Sequence, residues 1–574
     1  MQLVRSLLIG SLGAALIGVP AEAADFYVKP QTAGPVGGTP LSSISLQATT
    51  DPLLYPEGTD QNPEGTDQTT ADEGTSGDVQ FRSAATTEVS TAGKWVKARK
   101  KKGRKNTTGS TDTSGATTAG ETATGGTSTE GTSTGGTSTG GTSTGGTSTG
   151  GTSTGGTSTG GTSTGGTSTG GTTTGGGTTA GGSTWGSFDA LMASGQVNGG
   201  DRIFLMDGYH GPIVVKDMKF TSPVLIAPVS GQTAQADSIL VMNSSNVTFN
   251  GLKVWATSAN AGSGALIRSY TNTRDINFTG LDVRAVANSG NYMSWSQTEW
   301  LANQRVGFQV DGTNISVTKN RLTGLYHGIL SLGGNALIEE NIVDGFAGDG
   351  MRALGDNSII RRNKVQNCFQ INKNHADAFQ SFSRGPTGKP GTGTVHNLTI
   401  EDNKFFEWVS SASNPLRCKL QGVGMFDGMF DGIIVRNNVI ISRAYHGITI
   451  AGALNSQIVN NTVISALGKA DRYPWIKVAP HKNGTLSNNV TIANNMATNI
   501  KSITDPTRNI LVTDNVIVKS PGAEFASIAQ FDYSLKSTSN GANTGNAKYA
   551  PADDIAGVLR PRGKAPDIGA YESF

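Results

Sequence analysis

Eight short segments of this 574-residue chain share one pattern: an alternating apolar stretch that ends in an asparagine at a fixed offset. They read NISVTKNRL from Asn314, NALIEENIV from Asn335, NSIIRRNKV from Asn357, NLTIEDNKF from Asn397, GIIVRNNVI from Gly432, NSQIVNNTV from Asn455, NVTIANNMA from Asn489 and NILVTDNVI from Asn509. The recurring asparagines are Asn320, Asn341, Asn363, Asn403, Asn438, Asn461, Asn495 and Asn515, and successive ones lie 21, 22, 40, 35, 23, 34 and 20 residues apart. Alternation with period two means strands. A spacing near twenty residues means one turn of a solenoid, and the longer intervals mean a turn plus an inserted loop. At a tight corner a buried asparagine can bond its own rung and the asparagine of the next, as identical polar residues do in other parallel stacks. Asparagine also tolerates the left-handed conformation such a corner needs. Two earlier copies, NVTFNGLKV and DINFTGLDV, place Leu252 and Leu281 at this position.

Upstream of the repeat, the chain begins MQLVRSLLIGSLGAALIGVPAEAADFYV. A basic start, a short apolar run and Ala21-Glu22-Ala23 predict a signal peptide over 1–23, too short to span a bilayer. The expected location is therefore secreted, periplasmic or at the cell surface. Residues 31–183 read as a disordered low-complexity linker built largely of GGTST pentapeptides, which have almost no side chain to bury. Within it, KWVKARKKKGRK (94–105) is either a solvated stretch or a patch for surface association with an acidic polysaccharide or membrane. The formal net charge of +2 selects no partner, and secretion with balanced charge argues against nucleic acid. Cys368 and Cys418 pair as a disulfide, closing a loop worth about 3–4 kcal/mol, or stand as buried thiols; both readings remain open.

Ordered structure is expected over 184–574, starting with a helix in SFDALMASGQV capped by Ser187. The pattern resembles the right-handed parallel β-helix of the pectate-lyase-like superfamily. The resemblance rests on the asparagine repeats, on the amphipathic segment SFDALMASGQVNGGDRIFLMDGYHG as a capping helix and first rung, and on the PDIGAYE ending (566–572). ADFYVKP (24–30) is similar to the first strand of such proteins and is expected to dock back on the solenoid. The resemblance implies an all-β fold. It leaves function open, because that fold hosts lyases, hydrolases, epimerases, esterases and adhesins.

After each ladder asparagine the sequence has a second alternating stretch: HGILSL, DGMRAL, DAFQSF, HGITIA and WIKVAP. Ile329, Met351, Phe379, Ile448 and Ile476 should point inward, leaving Arg352, Gln380, Thr449 and Lys477 in an outward line. LRCKLQG is expected to supply the strand of the long 403–438 interval, with Arg417 and Lys419 outward. In INKNHADAFQSFSRG, Lys373, His375 and Asp377 share parity, and Asp349 holds the matching place one rung earlier. Paired carboxylates that close take up a proton, a cation or a metal, so Asp349 and Asp377 are candidate Ca²⁺ ligands; Asp349-Gly350 is equally a common turn. The expected substrate is an acidic polysaccharide and the leading reaction β-elimination. His375 or Lys419 would be the base, Asp377 and Arg352 would complete the centre, and Gln380, Arg384, Arg417, His446 and Lys477 would bind substrate. The rivals are an inverting glycosidase using Asp349 with Asp377, or Asp377 with Asp427, and a polysaccharide-binding adhesin without catalysis.

Overall fold

The structure, a computed structural model, describes residues 23–31, 177–179, 182–257, 264–469 and 472–573. Residues 1–22 of the expected signal peptide, the basic cluster and most of the 31–183 segment fall outside the described residues; contrary to the expected disorder, Gly177–Thr179 forms a strand antiparallel to Gly182–Trp185, which begins two residues before the expected ordered start. Three long sheets of 17, 12 and 11 strands run side by side, and neighbouring rungs pair in parallel. The chain is a parallel β-helix. In one rung Thr313–Thr318 belongs to the largest sheet, Arg321–Leu325 to the 12-stranded sheet and His327–Ser331 to the 11-stranded sheet. The pattern then restarts at Asn335. Each rung thus carries two strands after its ladder asparagine, where the sequence pattern indicated one. Only Tyr326 separates the two, so the alternation runs on without a visible break.

The asparagines form one continuous ladder at the corner between the 17- and 12-stranded sheets. The Nδ2 of Asn341 donates to Oδ1 of Asn363 at 2.9 Å, and its backbone N–H donates to the same oxygen at 2.9 Å. The same pair of bonds links Asn320 to Asn341, Asn363 to Asn403, Asn403 to Asn438, Asn438 to Asn461, Asn461 to Asn495 and Asn495 to Asn515. Each Nδ2 also donates to a backbone carbonyl of the preceding rung, as Asn403 does to Ile360 at 2.9 Å. From Asn320 to Asn495 these amides are buried, and a buried amide with all its partners made is what the site requires. Leu281 lacks a side-chain acceptor but still gives its N–H to Asn320 Oδ1, so the ladder begins there.

The left-handed residue at this corner is the one before the asparagine. Lys319, Glu340, Arg362 and Asp402 have φ of 58°, 56°, 55° and 58°. Long side chains in that region are strained by about 1–2 kcal/mol, and the ladder bonds on either side hold them there. The other left-handed corner is the repeat's first residue, including Asn314, Asn335, Asn357 and Asn397. There a second, exposed stack forms: Asn397 donates to Asn357, Asn489 to Asn455 and Asn509 to Asn489.

Both ends of the solenoid are covered. Ser187 Oγ accepts from the Ala190 N–H at 3.1 Å and starts the helix Phe188–Ala193, whose Phe188, Leu191 and Met192 are buried. Asp25–Val28 pairs in parallel with Gly182–Trp185 on one side and Arg202–Leu205 on the other, and Asp25 bonds Arg202 at 2.6 Å. In the terminal segment, Ala570 N–H donates to Thr462 and Gly569 N–H to Asn494, which seats it on the last rungs. Among the described residues no helix is long and apolar enough to cross a membrane.

Removing an amide from the middle of the ladder strands the N–H and Nδ2 of the asparagine above it. Asn403→Ala should therefore destabilise the fold by roughly 2–4 kcal/mol, whereas Asn515→Ala, at the half-buried end, should cost far less. Urea unfolding midpoints of the two variants against wild type check this.

Candidate functional site

The 11-stranded sheet presents the outward line. Register places Arg268, Gln309, Leu330, Arg352, Gln380, Gly424, Thr449 and Lys477 in successive rungs. Arg352, Gln380, Thr449 and Lys477 fall in the line expected of them, and Ile329, Met351, Phe379, Ile448 and Ile476 are fully buried inside. The strand of the long interval is Gln421–Asp427, not LRCKLQG. Gly424 accordingly stands where a cationic side chain was expected. A Cβ on Gly424 would lie 2.7 Å from Asp377 Oδ1, so the absent side chain leaves a notch above that carboxylate.

A second column runs along the strand entrances. Extending the same pairings aligns His327, Asp349, Asp377, Gln421 and His446, all buried. Asp349 Oδ1 accepts the backbone N–H of Asp377 at 3.0 Å, and its Oδ2 accepts Nε and Nη2 of Arg352 at 2.6 and 2.5 Å. The expected stacked aspartates do adjoin. Their repulsion is relieved by Arg352, which lies 5% exposed over the Phe382 ring. Arg352 is thus the counter-ion of Asp349 and not an open clamp for substrate. Asp377 Oδ2 accepts from Gln380 Nε2 at 2.9 Å.

Both oxygens of Asp349 are engaged, and a calcium site asks for six to eight oxygens. No group of three or more His, Cys, Asp or Glu converges among the described residues.

His375 and Lys419 sit higher, on the approaches to their strands, and both are exposed. Because Asp377 pairs with Gln421, His375 and Lys419 hold equivalent places in adjacent rungs. The loop carrying His375 is anchored by Asn372 to the Tyr326 hydroxyl at 2.9 Å and by Gln297 to the Ile371 carbonyl at 2.6 Å. Lys419 follows a firm anchor: Cys368 and Cys418 form a disulfide with Cα atoms 5.4 Å apart. Beside it, buried Glu407 accepts from Arg417 at 2.9 Å, Arg443 at 2.6 Å and the Leu420 N–H at 3.2 Å. Arg417 is thus held in this scaffold, paired with Glu407 and stacked over Trp408. Arg384 is half-exposed, and its Nη2 donates to the Leu332 carbonyl at 2.7 Å. Asp427 is buried against Lys482 and lies away from Asp377, at the far end of its strand.

His446 Nδ1 pairs with Thr449 Oγ1 at 2.7 Å, and its ring packs among Tyr445, Phe426 and Trp475. Burial, then the charges of Lys477 and His375, push its pKa down to about 3. That coupling places His375 within electrostatic reach of His446, across the Gln421 rung. His327, wholly buried, falls to about 4, first from burial and then from Arg352, with Asp349 opposing. Its Nδ1 accepts the Asp349 N–H at 2.8 Å, so it is neutral and its 3.8 Å approach to Asp349 is not an ion pair. The Trp475 and Tyr473 rings escaped the sequence reading, although Trp475 shares parity with Lys477.

No protein-family model matches the chain, and no curated protein matches it. Among solved structures it is similar to pectate lyase Pel9A, at 16% identity over 68% of this chain and 91% of that one, TM-score 0.39. It is also similar to the A-module of the Azotobacter vinelandii mannuronan C-5 epimerase AlgE4, at 13% identity over 57% and 89%, TM-score 0.35. A third is a mannuronic acid specific polysaccharide family 6 lyase from human gut microbiota, at 14% identity over 57% and 83%, TM-score 0.30.

Buried His327 and His446 make stability depend on pH. Their folded pKa values lie below the unfolded value of about 6.5, so the unfolded chain takes up protons first as pH falls. Stability is full above that value and is lost toward pH 4 for His327 and pH 3 for His446, at about 1.4 kcal/mol per pH unit for each. Urea midpoints should drop steeply between pH 6 and 4.5, and His327→Gln should flatten that slope.

Proposed function

We propose that the chain is a polysaccharide-active enzyme that cleaves an acidic, uronate-containing chain by β-elimination on the outer face of its 11-stranded sheet. One observation carries the reading. In the middle rungs the carboxylates, Asp349, Asp377 and Asp427, are buried and hydrogen-bonded, while Lys373, His375 and Lys419 are exposed and Lys477 is half-exposed. A groove of that polarity attracts an anionic polymer and offers it a base.

Elimination needs the proton next to the uronate carboxylate removed and the resulting enolate-like charge stabilised. A lysine base calls for a desolvated amine, and Lys419 is exposed. His375 is therefore assigned the proton transfer, and Lys419, one rung on, the substrate carboxylate. Asp377, under the Gly424 notch, orients Gln380 through the Nε2 bond and leaves its amide facing the groove. Lys477 extends the cationic line two rungs beyond Gly424. An inverting hydrolase fits less well, because it needs two carboxylates open to sugar and water, and these are covered. The signal peptide and the basic cluster suit work outside the cell on a polymer that the linker helps to hold.

Elimination leaves an unsaturated uronate that absorbs near 235 nm. Full-length protein mixed with polygalacturonate, alginate and other acidic polysaccharides should raise that absorbance. His375→Ala should cut the rate by roughly 10²–10⁴-fold, and Lys419→Ala should cut kcat with Tm unchanged. New reducing ends without the absorbance would transfer the chemistry to the aspartates. Neither signal on any polymer would reduce the groove to a binding surface.

A further inference from the structure

At the C-terminal end of the groove a group of rings packs apart from the main apolar clusters, around Trp475, which is itself buried. Phe426, Tyr445, Tyr473 and Trp475 are absent from the core clusters between the sheets. They pack on one another instead: Tyr445 lies 5.3 Å from Trp475 and 6.0 Å from Tyr473, and Tyr473 lies 5.4 Å from Trp475. Tyr445 and Tyr473 remain half-exposed, so each keeps ring surface open to solvent. Cations surround the group. Lys501 Nζ lies 4.8 Å and Lys477 Nζ 5.8 Å from the Trp475 ring centre, and the Arg472 guanidinium lies 5.2 Å from that of Tyr473. Trp475 Nε1 and His446 Nδ1 converge on Thr449 Oγ1, which fixes the rings to the outward line itself.

We infer that this shelf is a second sugar subsite, which stacks one residue of an acidic polysaccharide on Tyr445 and Tyr473 and faces its carboxylate with Lys477 and Lys501. The inference rests on the groove being the substrate face, as proposed above, and adds a specificity determinant away from the reacting centre. A sugar ring has an apolar C–H face that suits an aromatic surface, and its carboxylate is drawn to the ammonium groups that border it. These rings differ from other half-exposed aromatics of the solenoid in packing on one another beside three cations at the end of the outward line. His446 joins the shelf as a neutral ring, so the positive charge comes from the lysines and arginine alone. His375 stands on the approach two rungs before His446, so a chain lying along the groove meets the base and then the shelf. Substrates long enough to cover both should be preferred.

The test is isothermal titration calorimetry of full-length protein in the His375→Ala background, where cleavage does not interfere. The probes are oligogalacturonate and alginate oligosaccharides, with cello-oligosaccharides as the neutral control. Tyr445→Ala and Tyr473→Ala should each weaken acidic-oligosaccharide binding roughly tenfold, the effect of losing one stacking contact. Lys501→Gln should narrow the preference for acidic over neutral chains and leave Tm unchanged. Unchanged affinity in both tyrosine variants would overturn the shelf, even if the 235 nm absorbance establishes elimination. Tyrosine-dependent binding without any such absorbance would support the shelf and refute the lyase reading. Equal binding of neutral and acidic chains would overturn the role of the lysines.

Discussion

The asparagine ladder is the interaction on which everything else in this molecule depends. Apolar alternation alone forbids a one-residue slip between rungs, which would turn the core face outward, but Val, Ile and Leu interchange readily enough that it leaves a two-residue slip open. A fully bonded buried amide does not slip. Each Oδ1 receives two N–H groups from the rung before, and any such slip would leave several buried polar groups without partners at once. The ladder also holds charged residues such as Lys319 and Glu340 in a left-handed corner that they would avoid in isolation. Rungs with very different loops, from 20 to 40 residues long, therefore stack in the same register.

That register sets the polarity of the groove. Once Asp349 and Asp377 are fixed in adjacent rungs, their charges have to be dealt with, and Arg352 and Gln380 do so from the outward line three residues later. The consequence is a floor in which carboxylates are covered and a rim from which basic groups project. Glu407, with Arg417 and Arg443 around it, repeats the device beside the disulfide. There too a buried carboxylate draws arginines inward, and it leaves Lys419 as the cation free to project.

Much of this was legible in the residues, and what was not has a physical cause. The eight asparagines, the inward residues Ile329, Met351, Phe379, Ile448 and Ile476, and the outward Arg352, Gln380, Thr449 and Lys477 follow from period two and a constant corner. Period two also explains the misplacement of Arg417. LRCKLQG and QGVGMFD both alternate, Cys418 and Leu420 both turn out to be buried, and only the disulfide and the Glu407 network show that the strand begins at Gln421. The Arg352–Asp349 pair was hidden because alternation says which side a residue faces and not whether a bend lets positions three apart meet. The left-handed residue one place before each asparagine is Lys319, Glu340 or Arg362 in the first three rungs, which carry no sequence signal for that conformation, whereas the later five are Asp or Asn, which do.

A repeat that stacks equivalent positions also stacks equivalent chemistry, so a site with direction has to come from departures from the repeat. The outward line shows where they are. Leu330 is apolar, Arg352 is pinned inward, Gln380 is polar, Gly424 is empty, and Lys477 is cationic. The two approaches flanking the Gly424 notch carry His375 and Lys419, supplied by the rungs with the longest inserts. One rung beyond, the polar column gives way to rings. Loops, glycine and aromatic residues thus break the uniformity at neighbouring rungs, while the ladder on the opposite corner continues through all of them unbroken. The outer face can depart from the repeat in this way because the corner that fixes the register is separate from the face that varies.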